Sequence, residues 1–321
     1  HVYCHELILN RGLNMSKSSE IPIYSYFYPV STQCPERQER ARTHGYELVD
    51  ETQLCQDAQP LYEGHDQPVT YSLGDIATRN WDDADPEAMA LQIELATEHG
   101  IGGFIFDSYL GQKSGKSVHE MKSVINQGFL GAENANSINF ALMAALGSPR
   151  VTLPISPGMA FKEQRRDYDR TKGTVETIVD ACATQYWNQD NYIRMGHDQP
   201  YLSIYASEAK NAEGSLTLPD MLEYLKEYSQ RRYKIEPYVV GVLKAPSARA
   251  HFEQNVDAMT GYAFLPNFEP DAEPIQDYGS LLEQRIAEWH EITAASSKPF
   301  VPPVVLGWDG SPRGINGPTL E

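Results

Sequence analysis

The sequence predicts an α/β fold, a (β/α)8 TIM-like barrel whose eighth strand is missing from the given chain. Three observations carry this. Seven short, nearly all-apolar runs alternate with helical patterns, as in a parallel sheet covered on both faces. Each strand-plus-helix unit takes roughly 30–50 residues, which suits a barrel. No G-x-G-x-x-G or phosphate-loop glycine pattern occurs, so an open nucleotide-binding sheet is not indicated.

The first strand is the β-branched and aromatic run from Ile21 to Tyr28, stopped by Pro29. Residues 31–83 are polar and turn-rich, and a connection of that length inside a compact domain is usually functional. Asp85 caps a helix with Pro86 in its first turn. Met89, Ile93 and Ala96 share one face, and Gly100 ends the helix. The second strand, Gly103 to Phe106, ends at Asp107. A helix near 117–130 is expected next, followed by a third strand from Phe140 to Leu146. After a Pro/Gly-rich loop over 147–160, Val175, Ile178, Val179 and Cys182 are spaced for one face of a helix over 171–187. The fourth, fifth and sixth strands are Tyr201–Tyr205, Tyr238–Leu243 and Ala258–Ala263, separated by helices over 219–232 and about 247–255. A helix over 279–295 leads to the last strand, Phe300–Leu306. With seven strands only, the first and last are expected to present unpaired edges.

The domain reading is an N-terminal extension over 1–20 and a single barrel domain over 21–321. His1 to Asn14 lacks a basic segment followed by an apolar one, so it does not read as a signal peptide, and a cytoplasmic location is expected. No apolar stretch is long enough to span a membrane. The net charge of −18 disfavours nucleic acid and anionic membranes as partners. Four cysteines without a CxxC pair exclude a disulfide scaffold and a zinc spacing, and leave room for one or two disulfides. The scattered histidines form no metal-binding pattern, so neither a metal nor a cofactor is expected.

Barrels keep their chemistry at the carboxyl ends of the strands. Those ends carry Tyr26, Tyr28, Asp107, Tyr109, Tyr205, Glu208 and Tyr262, and the last strand runs into Gly307-Trp308-Asp309-Gly310-Ser311-Pro312-Arg313. Flat rings stack on sugar faces, and carboxylates bond hydroxyls or perform acid/base work. The plainer reading of the tyrosines is packing of the barrel mouth. An Asp at the end of an apolar strand is costly unless partnered or used, which singles out Asp107. His65 and Gln67, in Gly64-His65-Asp66-Gln67-Pro68, lie in the long first loop and are expected over the mouth. Glu288 and Glu291 lie in a helix whose buried face is expected at Leu281, Leu282, Ile286 and Ile292, so they read as surface charges.

Six words occur in order: Tyr62 to Pro68, Asp85 to Ala96, His99 to Asp107, Asn139 to Met143, Asp198 to Tyr205, and Gly307 to Arg313. Together they make the chain, from about residue 22 to 321, resemble the glycoside hydrolase family 99-like, or WbsX-type, domain. The resemblance implies a (β/α)8 barrel acting on glycans. The reference members are endo-acting α-mannosidases. WbsX-type members accompany polysaccharide biosynthesis and are often labelled glycosyltransferases. The chain departs from the family at Ser108-Tyr109-Leu110-Gly111, where more aromatics are usual, and at Ala144-Ala145-Leu146-Gly147, where Trp-Ala-Asn is usual. The family's paired glutamates belong to an Asn-Glu-Trp motif on the eighth strand, which falls beyond Glu321.

The expected function is that of a carbohydrate-active barrel, a glycoside hydrolase acting on α-linked, mannose-type glycans or bacterial polysaccharide. Asp107 and Asp309 are its candidate catalytic residues. Tyr28, His65, Gln67, Tyr109, Tyr205, Tyr262, Trp308 and Arg313 are its candidate substrate-binding residues. The alternatives are an inactive glycan-binding or structural barrel and a polysaccharide-biosynthesis glycosyltransferase. Against the last, Asp83-Ala84-Asp85 has the letters of a metal-binding DxD but reads as a helix cap.

Overall fold

A computed structural model describes residues 2–6, 22–29, 82–113, 115–120, 122–146, 169–206, 215–262, 273, 275–305, 307 and 319–320. Most of the long first loop, with His65 and Gln67, lies outside the described residues, as do the 147–160 loop, Glu208, Trp308, Asp309 and Arg313.

The core is one curled sheet of mostly parallel strands. β1 (Val2–Glu6) and β2 (Ile23–Phe27) are followed by helix α1 (Pro86–Glu98), β3 (Ile101–Lys113), β4 (Lys116–Glu120) and β5 (Asn139–Ala145). Helix α2 (Lys172–Ala181) precedes β6 (Arg194–Met195), β7 (Gln199–Tyr205), α3 (Leu218–Tyr233), β8 (Tyr238–Leu243), α4 (Arg249–Phe252) and β9 (Ala258–Gly261). β10 (Ile275–Gln276), α5 (Tyr278–Ala295), β11 (Phe300–Val301), β12 (Pro303–Val304) and β13 (Thr319–Leu320) follow. Parallel pairing runs from β2 through β3, β5, β7, β8 and β9 to β11. These are the seven strands expected from the apolar runs, in chain order. Side chains on both faces of the sheet, Phe104, Ile105, Phe106, Phe140, Ala141 and Leu142 among them, are almost fully buried, as a sheet covered on both faces requires.

The expected unpaired edges are covered. β1 lies between β2 and β12 and is antiparallel to both, with Tyr3 opposite Tyr26 and Cys4 opposite Val304. β11 and β12 are two parts of one run interrupted at Pro302, which has no N–H to give to a ladder. The eighth parallel strand is missing among the described residues, and β1 occupies its slot with reversed polarity.

The helices start where their caps demand. Asp85 accepts from the Glu87 amide, so the DxD letters here are a cap. Thr171, Thr217 and Asp277 cap α2, α3 and α5 in the same way. α2 and α3 are bound together by phenols: Tyr224 donates to Glu176 at 2.6 Å, and Tyr228 and Tyr233 donate to Asp180 at 3.0 and 2.8 Å. The helix expected over 171–187 is found, with its last turn widened into a π-helix at Cys182–Tyr186. Cys182 is buried with a free thiol.

Two expectations fail. Residues 116–120 are not helical: they form β4, which pairs antiparallel with the far end of β3. Gly115, at φ +72°, supplies the left-handed residue that the tight turn needs. Helical structure begins only at 122, as a π-helix over Val124–Phe129. In α5, Ile292 is buried but Ile286 is 39% exposed, so the apolar face is narrower than its spacing suggests.

Two contacts define local stability. Gly241 in β8 faces Phe252 of α4, and a Cβ there would lie 2.5 Å from the ring. Gly241→Ala should lower the unfolding free energy by roughly 1–3 kcal/mol, read as a shifted midpoint in urea. An unshifted midpoint would mean that Phe252 moves aside without loss. Glu253 holds the turn before β11. Its carboxylate accepts from the Ser297 amide and hydroxyl, the Ser296 hydroxyl and Arg249. Desolvation would raise its pKa, but these donors outweigh it and hold the group down to about 2 from 4.5. The stabilisation is therefore complete above the unfolded value of 4.5 and disappears as pH falls through about 2. Glu253→Gln should melt earlier than the wild type at neutral pH, and the gap should close on acidification.

Candidate functional site

The carboxyl ends of the parallel strands meet in a cluster of tyrosines around one buried acid. β3 pairs with β2 as far as Phe27–Phe106 and with β5 as far as Ser108–Ala144. Beyond that point it leaves the barrel and joins β4. Asp107 therefore sits at the end of the barrel portion of a strand longer than the sequence suggested. Side chains alternate along a strand, so Ile105, Asp107 and Tyr109 share one face. Ile105 lines the barrel interior with Tyr201, Val240, Ala258 and Thr260. Asp107 thus points inward, above a mostly apolar interior.

Tyr205 ends β7 and Tyr262 follows β9. The Tyr262 hydroxyl donates to Asp107 Oδ2 at 2.6 Å, joining strands separated in the sheet by β5, β7 and β8. The Tyr262 ring packs against Tyr26 and Tyr205, each at 5.2 Å between centroids. Tyr28 and Tyr109 meet edge-on at 6.3 Å, and Ala145, Val118 and Tyr205 pack around them. The Lys244 ammonium lies 4.5 Å from the centre of the Tyr205 ring. Of the residues expected at the site, Tyr28, Asp107, Tyr109, Tyr205 and Tyr262 are thus brought to one end of the barrel. Asp309, Trp308, Arg313, His65 and Gln67 lie outside the described residues.

Asp107 is 4% exposed, and its Oδ1 has no hydrogen-bond partner among the described residues. Desolvation raises its pKa to about 8 from 3.8, against the lowering effect of the Tyr262 hydrogen bond. The carboxyl is therefore neutral near pH 7, a donor as well as an acceptor. Burial also pushes the neighbouring Tyr26 phenol well up, with Tyr201 and the Asp107 carboxyl adding to the effect.

Sequence reasoning missed the hairpin carboxylate. Glu120 stands opposite Tyr109, is buried, and pairs with Lys113 at 2.7 Å. Val118 is the one apolar residue in Lys116–Glu120, so the segment gives no strand pattern that would have marked it. Lys244 at the end of β8 was also missed, and no local pattern marks it. Among the described residues no group of three or more His, Cys, Asp or Glu could hold a metal ion, and no helix is long and apolar enough to cross a membrane.

The model of the family described as glycosyltransferase WbsX matches residues 48–320. The chain belongs to that family. The barrel is also similar to two solved structures of the GH99 endo-α-mannosidase from Bacteroides thetaiotaomicron. The first has a TM-score of 0.52 at 15% identity, covering 92% of this chain and 75% of the enzyme. The second, a complex with bis-tris-propane, has a TM-score of 0.51 at 15% identity and covers 92% and 72%. No match is found among curated protein sequences. This WbsX-family chain therefore shares the barrel fold of those structures.

The raised Asp107 pKa has a thermodynamic signature. The fold favours the neutral form, so its contribution is complete below the unfolded value of 3.8 and is lost as pH rises through about 8. Asp107→Asn should remove this slope. Its melting temperature relative to the wild type should climb steadily between mildly acidic and mildly alkaline pH. A constant difference would mean that Asp107 titrates normally.

Proposed function

We propose that this WbsX-family protein hydrolyses α-linked glycans, of mannose type or from bacterial polysaccharide, at the carboxyl end of its barrel. The observation that carries this reading is Asp107, a buried carboxyl, neutral near pH 7, in a cluster of tyrosines where barrel enzymes keep their chemistry. The likeness to GH99 endo-α-mannosidase structures supports the choice of substrate class.

Glycoside hydrolysis needs an acid to protonate the leaving oxygen and a second carboxylate to assist attack at the sugar carbon. A neutral Asp107 suits the first task, since a general acid works best with a pKa near the working pH. Asp309 is the proposed second carboxylate, with Arg313 orienting it. Tyr28, Tyr109 and Trp308 are the proposed stacking platforms, with Tyr205 and Tyr262 completing the wall and His65 and Gln67 bonding hydroxyls from above. The family description favours a second reading, transfer of a sugar from an activated donor. The two readings differ in whether water alone suffices as acceptor.

The test is product release from a panel of α-mannosides and bacterial polysaccharides, with and without nucleotide-sugar donors. Hydrolysis without a donor is expected. Asp107→Asn should lower kcat by roughly 10²–10⁴-fold while leaving glycan binding measurable. Product formation only when a donor is added would replace hydrolysis by transfer. An Asp107→Asn variant as active as the wild type would remove Asp107 from the chemistry.

A further inference from the structure

The two oxygens of Asp107 are in unlike surroundings. Oδ2 accepts the Tyr262 hydroxyl at 2.6 Å, whereas Oδ1 is buried with no partner among the described residues. A buried polar atom without a partner is costly, and at a candidate site it is open to a bound group. The phenol is also held in place. Its ring has Tyr26 and Tyr205 as neighbours, and Tyr205 in turn carries the Lys244 ammonium near its face. The hydrogen bond spans the barrel from β9 to β3, between positions 155 apart in sequence.

A phenol has one proton to give. With that proton directed at Oδ2, the proton of a neutral carboxyl is left to Oδ1; the opposite arrangement, Oδ2–H donating to the phenol oxygen, would leave Oδ1 an acceptor. We infer that Tyr262 is a positioning residue: by donating to Oδ2 it assigns the Asp107 proton to Oδ1 and so makes that oxygen a hydrogen-bond donor for an ether or hydroxyl oxygen of a bound glycan. The inference rests on Asp107 belonging to the functional site. It goes further by giving Tyr262 a task through Asp107, beyond that of a sugar platform. The neutral form persists because desolvation outweighs the phenol, and the phenol limits how far the group is pushed.

The pairing can be followed without any substrate. In protein labelled with carboxyl-carbon-13 aspartate, the Asp107 signal is the one lost in Asp107→Asn. In the wild type it should titrate well above the ordinary carboxylate range. Tyr262→Phe removes a bond to the charged form and should move the midpoint up by roughly one pH unit. Replacing Tyr262 by meta-fluorotyrosine keeps the ring and makes the hydroxyl a stronger donor, so the midpoint should move down; this variant serves if the phenylalanine variant does not fold. In α-mannoside hydrolysis, the alkaline limb of the kcat profile should follow the same displacements. A midpoint unmoved by either replacement, or an Asp107 that titrates in the ordinary range, would overturn the inference. Displaced midpoints without turnover of any glycan would leave the pairing established, remove its role towards a glycan, and count against the proposed hydrolysis.

Discussion

The candidate site depends on placing one ionisable group where it is almost wholly withdrawn from water. Asp107 lies among apolar strands, at the end of a mostly apolar interior. The cost of burying its charge is reduced by holding the proton, and among the described residues the remaining polarity is met on one side, by Tyr262. Tyr26 and Tyr205 are arranged around that bond, holding the phenol as a strut between opposite walls. The barrel supplies rigidity, and rigidity makes a single hydrogen bond direction meaningful.

The rest of the molecule supports that geometry through polar contacts that are half-buried or exposed. Phenols on α3 reach carboxylates on α2, Asp257 bonds both Lys226 and the Val239 amide at the start of β8, and Glu253 gathers the turn before β11. The first ties α3 to α2, the second ties α3 to the start of β8, and the third ties the end of α4 to the turn before β11. An excess of acidic residues in the chain is thus put to use partly as acceptors for hydroxyls and amides.

All seven parallel strands could be read from sequence because strands buried on both faces are apolar throughout, a signal confined to a few adjacent residues. Asp107 was legible for the opposite reason, as a charge interrupting such a run. The β3–β4 hairpin was not, since Lys116-Ser117-Val118-His119-Glu120 is short and mostly polar and precedes real helical structure at 122. The Asp107–Tyr262 bond had no local signature at all. Its partners come together only after three intervening strands have paired, and spacing in sequence carries no trace of that. The place of β1 was equally hidden, because a strand of either polarity can complete a ladder.

That reversed strand makes the barrel a hoop of unequal staves. β1 holds β2 through five facing residues, from Val2–Phe27 to Glu6–Ile23, but meets β12 through only two, Cys4–Val304 and His5–Pro303, one of them a proline that gives no amide proton. Opening free energy in a folded protein follows local pairing. β11 likewise meets β9 through only two pairs, so the wall should part first on either side of this last run, with the opposite side, where β3, β5 and β7 are paired over longer spans, acting as the hinge.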